Sequence, residues 1–334
     1  MFLSINQKFS KELIILKSRF LGCIIGSAVG DALGQPYEGF LRPKLERLSN
    51  IISKYRGRYT DDTQLTLAIA NALIEGKGFD RELLIKYFIK WLKEPPIGAG
   101  YGCLTAVRNM ARGTMRPSNS GGNGTAMRVS PIGLFYNQKE ELPLLKKYAK
   151  ESSILTHDHW AASAGALTVA RAVAYVLNNK KIDKDDLIDT LVSFINEPEF
   201  KEFPRHLKNL KNYFDMPVKD ALKDLGLKGV KEPYIEIFNA PSIKGKGVIS
   251  GYTLPTVLCS LYAFLLSPSD YIKSVKEVII GGGDTDTTAA ICGAISGAYN
   301  GFESIPENLV DNLKDKDIIY STAEKLYRIY KKNH

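Results

Sequence analysis

Apolar residues recur every three or four positions along most of this chain, and hardly any stretch alternates apolar with polar residues. A helix shows one apolar stripe at a period of 3.6, whereas a half-buried strand needs a period of two. The pattern therefore predicts an all-α fold. Asp62 to Glu75 places Leu65, Ile69, Ala72 and Leu73 on one face and stops at Gly76, read as the residue just past the helix end. Thr287 to Tyr299, Ala162 to Leu177 and Tyr252 to Leu266 are further predicted helices, and Pro255 is tolerated in the first turn of the last. The last two are apolar enough to lie inside. A chain of 334 residues, 44% hydrophobic, can bury a large core. No linker rich in Gly, Ser or Pro divides it, which predicts one compact domain over residues 1–334, with the more polar 180–246 as a peripheral helical layer or lid.

Two acidic clusters at helix starts carry the chemistry: Thr60-Asp61-Asp62, and Asp284-Thr285-Asp286-Thr287-Thr288. Clustered carboxylates repel one another, so a fold that keeps two such clusters has reason to hold a cation between them. With carboxylate and hydroxyl donors and no Cys or His beside them, the sites favour a hard ion such as Mg²⁺, Mn²⁺ or Ca²⁺ over zinc. The competing reading is helix capping. Asp61 followed by Gln64 resembles a capping box, and Asp284 can cap the second helix. Capping does not explain the second acid in each cluster.

Three other segments draw attention. Gly22, Gly26, Gly30 and Gly34 are spaced by four and line one helical stripe, which allows close packing but matches neither a dinucleotide nor a phosphate-loop motif. The loop from Ser118 to Arg128, with Gly121, Gly122, Asn123, Gly124 and Met127, can either cradle phosphate on backbone N–H groups or form an ordinary turn. Thr156-His157-Asp158-His159 offers side chains for a ribose or adenine, or simply caps the apolar helix that follows. Glu38, in the turn Gln35 to Gly39, is by itself an ordinary solvated loop acid. His206 and His334 have no informative neighbours.

The formal charge of +9 is compatible with an anionic ligand, but Lys and Glu are interspersed and no arginine-rich or aromatic stripe points to nucleic acid. Cys23, Cys103, Cys259 and Cys292 are scattered without a CxxC pair and read as buried free thiols of a reducing compartment. The apolar run Phe20 to Val29 is too short to span a bilayer. Together these predict a cytoplasmic protein with no membrane partner, and a monomer, since no heptad run offers a partner surface.

Taken in order, GDALGQPYEG, YTDDTQLTLAIA, GGNGTAMRVSPIGLF, THDH and GGGDTDTTAAICGAISGAYNG resemble the ADP-ribosylglycohydrolase family from about Gly22 to Gly301. The resemblance implies an orthogonal bundle of helices with two Mg²⁺ ions in a central cleft, Mn²⁺ being an alternative, and removal of ADP-ribose from modified protein side chains or related small molecules. It makes Thr60, Asp61, Asp62, Asp284, Asp286 and Thr287 metal ligands, with Asp62 and Asp286 at the catalytic centre. Glu38 becomes a ligand or proton-transfer group. The Gly121 to Met127 loop and His157 become ADP-ribose contacts. Two cations about 4 Å apart would orient ribose hydroxyls and polarise water, with Glu38 handling the proton. The chain has Pro95 and Pro96 where arginine-directed members carry an additional Asp, which weighs against an arginine linkage and leaves serine-linked ADP-ribose or O-acetyl-ADP-ribose. The alternatives are an ADP-ribose reader without catalysis and a structural, crystallin-like member.

Overall fold

The computed structural model describes residues 2–39, 51–200, 202–230 and 248–334. Every regular element among them is helical, and the only β-type pairings are three isolated bridges. Helix α1 spans Phe2–Gly34, and α2, Asp61–Gly76, follows a short 3₁₀ turn at Ile51–Lys54. Next come α3 (Arg81–Lys93), α4 (Tyr101–Ala111), α5 (Ser130–Phe135) and α6 (Leu142–Ile154). The interior holds α7 (Trp160–Asn178), in which 161–170 and 172–177 are all buried. Three amphipathic helices follow, α8 (Lys184–Phe194), α9 (Glu202–Asn209) and α10 (Val218–Leu225), packed outside α7 and the apolar α11 (Thr253–Leu266). Then come α12 (Tyr271–Ile280), α13 (Thr285–Asn300), α14 (Glu307–Asp311) and α15 (Lys316–Asn333).

The predicted helices are present, with ends that differ from the expected ones by a residue or two. Gly76 is the last residue of α2 rather than the one beyond it, and Lys77 takes the left-handed conformation at φ 52°. At the other end α2 begins one residue early, with Thr60 as N-cap. The 180–246 region supplies the outer helices α8 to α10; the part of that segment at 231–246 lies outside the described residues.

The glycine stripe of α1 is the principal seam. Gly22, Gly26, Gly30 and Gly34 face Gly297, Gly293, Ala289 and Thr285 of the antiparallel α13, so the two backbones touch. A Cβ at Gly30 would sit 2.2 Å from the Ala289 carbonyl oxygen, and one at Gly22 2.3 Å from that of Gly297. Two side chains bond carbonyls of the seam: the Tyr271 hydroxyl donates to that of Gly26 at 2.7 Å, and the Thr285 hydroxyl to that of Gly34, at the end, at 2.9 Å. Contact this close fixes the acidic start of α13 relative to α1.

The run Phe20 to Val29 is part of a much longer helix. By length and apolar character, Glu12–Tyr37 and α7 would each pass for a membrane span, yet 61% and 89% of their apolar windows are buried against other helices. All four cysteines are free and buried, as their scatter predicted.

Candidate active site

Helix α2 starts at a cleft because a third acid holds it there. Asp31, fully buried on α1, accepts the Thr60 amide and hydroxyl at 3.0 Å each, the Thr63 amide at 3.1 Å and the Thr63 hydroxyl at 2.6 Å. The N-terminal amides of α2 are thus capped largely from another helix. Thr60 Oγ1, the local cap, accepts the Asp62 amide at a long 3.4 Å. Gln64 does not return to the helix start as a capping-box partner would: its Oε1 accepts Trp91 Nε1 at 3.0 Å and the Ile97 amide at 3.2 Å. With the Asp61 amide donating to Ile97 O at 2.7 Å, the 95–97 segment is pinned beside the acids.

Helix α13 brings the second cluster to the same place. Asp284 is the N-cap residue of α13 but makes no side-chain cap bond; instead Asn123 Nδ2 donates to its Oδ2 at 2.7 Å. Of the three threonines, Thr285 bonds the end of α1 and Thr288 its own first turn, while the Thr287 hydroxyl lies 3.4 Å from Asp62 Oδ2. The clusters, more than 220 residues apart in the chain, therefore meet. Asp31, Asp62 and Asp286 each present a carboxylate oxygen within 4.8 Å of the others. Asp62 Oδ1 and Asp286 Oδ1 are buried without a hydrogen-bond partner.

Burial pushes the Asp62 and Asp286 carboxyls well above the usual range, and neighbouring acids push them further. Asp61 is raised to about 8 and Asp31 to about 6, first by desolvation; for Asp31 the four hydrogen bonds oppose the rise. Orphaned carboxylate oxygens facing one another are what a hard divalent cation would satisfy, so the residues fit such an ion. Glu38 is exposed at the cleft mouth, yet its carboxyl is also raised, by partial desolvation and then by Asp284 and Asp31.

The glycine-rich loop closes the adjoining wall of a cavity of about 570 Å³ lined by Glu38, Asp61, Asp62, Met127, His157, Asp284, Asp286 and Thr287, among others. All three β-bridges lie here: Ser118 with His157, Gly122 with Tyr252, and Ile249 with Gly283. At the last, only a glycine fits, because Gly283 has φ 77° and a Cβ there would lie 2.2 Å from Ile249 O. The loop is less free to cradle phosphate than its composition suggests. The Asn123 amide donates to Gly251 O at 3.1 Å and the Gly122 amide to Ser120 Oγ at 3.1 Å. The Asn123 side chain is occupied by Asp284 and, at 3.0 Å, by Thr256. In the THDH segment the roles separate: His159 caps α7, its Nδ1 accepting the Ala161 amide at 3.1 Å, while His157 faces the cleft.

Asp31 was not among the predicted site residues, nor was the orienting part of Asn123. One signal for Asp31 was available, an isolated acid inside an apolar glycine-spaced helix. Burying it there requires donors from elsewhere.

Fold and site together define an all-helical protein whose cleft is built from two acidic helix starts, a buried third acid and a glycine-rich loop. The sequence profile of ADP-ribosylglycohydrolases matches residues 13–334, and the chain belongs to this family. It is 30% identical to an uncharacterized protein of Archaeoglobus fulgidus, covering 94% of this chain and 98% of that one. It is 29% identical to ADP-ribosylhydrolase ARH3 of Danio rerio, covering 95% and 92%. A solved structure described as an ADP-ribosylglycohydrolase-related protein complex superimposes with a TM-score of 0.65 at 25% identity, covering 95% of this chain and 99% of that one. Family membership supports hydrolysis of an ADP-ribosyl bond as the class of activity.

Proposed function

We propose that the protein is a divalent-metal-dependent hydrolase that cleaves the glycosidic bond joining ADP-ribose to a protein side chain or a small-molecule conjugate. The observation that carries the reading is the convergence of both acidic helix starts on one cleft with two carboxylate oxygens buried and unpartnered. Thr60, Asp61, Asp62, Asp284, Asp286 and Thr287 are the residues that would hold two Mg²⁺ or Mn²⁺ ions. Such ions, when bound, supply a positive template for ribose hydroxyls and Lewis-acid polarisation.

The protein's own groups do the rest. Asn123 and Thr287 orient Asp284 and Asp62 through the hydrogen bonds above. Asp31 holds α2 so that Asp61 and Asp62 face α13. Glu38, exposed at the mouth with a carboxyl raised by partial desolvation and then by Asp284 and Asp31, is suited to exchange a proton, taking one from attacking water or giving one to the departing group. The cavity volume falls within the range of small-molecule sites. The 95–100 loop, of which Gly98 and Gly100 line the cavity, contributes no acid of its own, which favours a serine-linked or O-acetyl conjugate over an arginine-linked one.

The test is release of ADP-ribose from serine-linked and arginine-linked peptides and from O-acetyl-ADP-ribose, in Mg²⁺ and then in EDTA, with the Asp284→Ala/Asp286→Ala variant alongside. Release that requires Mg²⁺ and vanishes in the variant is the expected result. Binding of ADP-ribose with every conjugate left intact would make the protein a reader instead. Glu38→Gln should lose turnover while retaining ADP-ribose binding; full turnover in that variant would remove Glu38 from the chemistry.

A further inference from the structure

Arg128 is fully buried beside the cleft, with no carboxylate in ion-pair contact among the described residues. Its Nη1 points at Cys103 Sγ at 3.2 Å, and Nη2 donates to Ser152 O at 3.2 Å and to Thr156 Oγ1 at 2.6 Å. The guanidinium also stacks over the Phe88 ring at 4.7 Å. Ser152 lies in the last turn of α6, where the helix dipole presents its negative end, so the charge is anchored there while its field also reaches Asp61. Thr156 Oγ1 is in turn 2.9 Å from His157 Nδ1.

The proton count along this chain is restrictive. An arginine only donates, so Thr156 Oγ1 accepts from Nη2 and has one hydrogen left to give. Two acceptors are in reach, His157 Nδ1 at 2.9 Å and Ser153 O at 3.4 Å. The nearer one gives the stronger bond. A lone pair on Nδ1 facing the cation's side is also electrostatically preferred over an N–H dipole pointing the same way. Nδ1 as acceptor leaves the ring proton of a neutral imidazole on Nε2.

Nε2 sits at the cleft floor between two glycines that leave it uncovered. A Cβ at Gly102 would come within 2.8 Å of it and one at Gly124 within 3.5 Å. Among the described residues the His157 ring makes no hydrogen bond other than that at Nδ1. Backbone bonds at either side, from the Ser118 amide to Thr156 O at 2.9 Å and from the Asp158 amide to Ser118 O at 2.8 Å, lock the segment to the glycine-rich loop.

We propose that Arg128 and Thr156 are positioning residues that hold His157 in its Nε2–H tautomer, making His157 a fixed hydrogen-bond donor to an acceptor oxygen of the bound ligand. Burial and then Arg128 push the His157 imidazolium down to about 3, so the ring stays neutral and is not a proton carrier in this role. Identifying the ligand as ADP-ribose rests on the function proposed above; the tautomer does not.

The experiment is ¹⁵N-histidine NMR of the ligand-free protein, in which the four histidines are few enough to assign with a His157→Gln deletion. Expected is a pyridine-like Nδ1 and a pyrrole-like Nε2 in the wild type, unchanged in Thr156→Ser, and a shift towards Nδ1–H in Thr156→Val. ADP-ribose affinity, by calorimetry, should fall about tenfold in Thr156→Val and recover in Thr156→Ser, the scale of one hydrogen bond to a charged acceptor. A wild-type Nδ1–H tautomer, or a Thr156→Val protein with the tautomer unaltered, overturns the relay. If Thr156→Val does not fold, the wild-type spectrum still decides. Failure of the wild type to bind ADP-ribose, with the tautomer as expected, would count against the function and leave the relay standing.

Discussion

Gly30→Ala and Gly22→Ala test whether the α1–α13 seam sets the geometry of the site. Both add one methyl group against backbone, at 2.2 Å from Ala289 O and 2.3 Å from Gly297 O. Ordinary contact begins at 3.4 Å, so at each point the helices must part by about 1 Å, because carbonyls within a helix cannot rotate away. Overpacking costs about 1–3 kcal/mol, offset by about 0.5–1 kcal/mol from replacing a mid-helix glycine. The net loss is up to about 2.5 kcal/mol for either variant, or a melting temperature lower by up to about 4 °C. Their effects on the site should differ. Gly30 adjoins Asp31 and faces Ala289, three residues from Asp286, whereas Gly22 lies about 12 Å further along the axis. A displacement of about 1 Å at catalytic groups costs about 100-fold in rate. Gly30→Ala should therefore lose about that factor in ADP-ribose release and much of its Mg²⁺-dependent thermal shift, while Gly22→Ala keeps both. The assays are differential scanning fluorimetry with and without Mg²⁺ and conjugate hydrolysis. Equal activity in the two variants, or an undiminished Mg²⁺ shift in Gly30→Ala, would refute the coupling between seam and site.

Asp31→Ala leaves two amides and a hydroxyl of Thr60 and Thr63 without their acceptor, so urea unfolding should show a loss of about 2–4 kcal/mol; a change below about 1 kcal/mol would mean that α2 is held by other contacts. Asp286→Asn should raise the melting temperature of the metal-free protein, by removing a buried, unpartnered and repelled carboxylate, and abolish the stabilisation by Mg²⁺; destabilisation in EDTA would contradict that account. In EDTA, wild-type stability should fall as pH rises from 5 to 8. Asp31 and Asp61 hold folded-state values of about 6 and about 8, above the ordinary 3.8, so their protons stabilise the fold at low pH and are lost as pH climbs through those values. His157, held down near 3, and His159 and His206, also lowered by burial, act in the opposite sense below pH 6.5, against the raised Asp31, Asp61, Asp62, Asp286 and Glu38. Thermal melts across that range, flattened by Mg²⁺, would bear this out, and rising stability towards pH 8 in EDTA would exclude it.

Much of the site was legible because its signals are local. Asp61, Asp62, Asp284 and Asp286 are too crowded to be explained by capping, and the four-residue glycine spacing marks a helix built for backbone contact whatever its partner. The helical period likewise needs no knowledge of neighbours. Three assignments were not local. Gln64 looks like a capping-box residue until the 95–97 segment is beside it to take its hydrogen bonds. Asn123, read from sequence as a ligand contact, lines the cavity, but its bond to Asp284 at 2.7 Å could be seen only once the two segments were packed together. Arg128 carries no signal in sequence, since a lone arginine is ordinarily a surface residue and only packing between α4, α6 and Phe88 buries it.

The sequence by itself determined the helical class, the two crowded acidic helix starts, and which face of α1 would meet another backbone. Tertiary structure decided that the partner is α13, that Asp31 of α1 caps α2, and that the two acidic starts share one cleft. The physical reason is range: helix period and charge repulsion act over a few residues, while hydrogen bonds such as Thr287 to Asp62 join groups more than 220 residues apart, and only the packed seam brings them within reach.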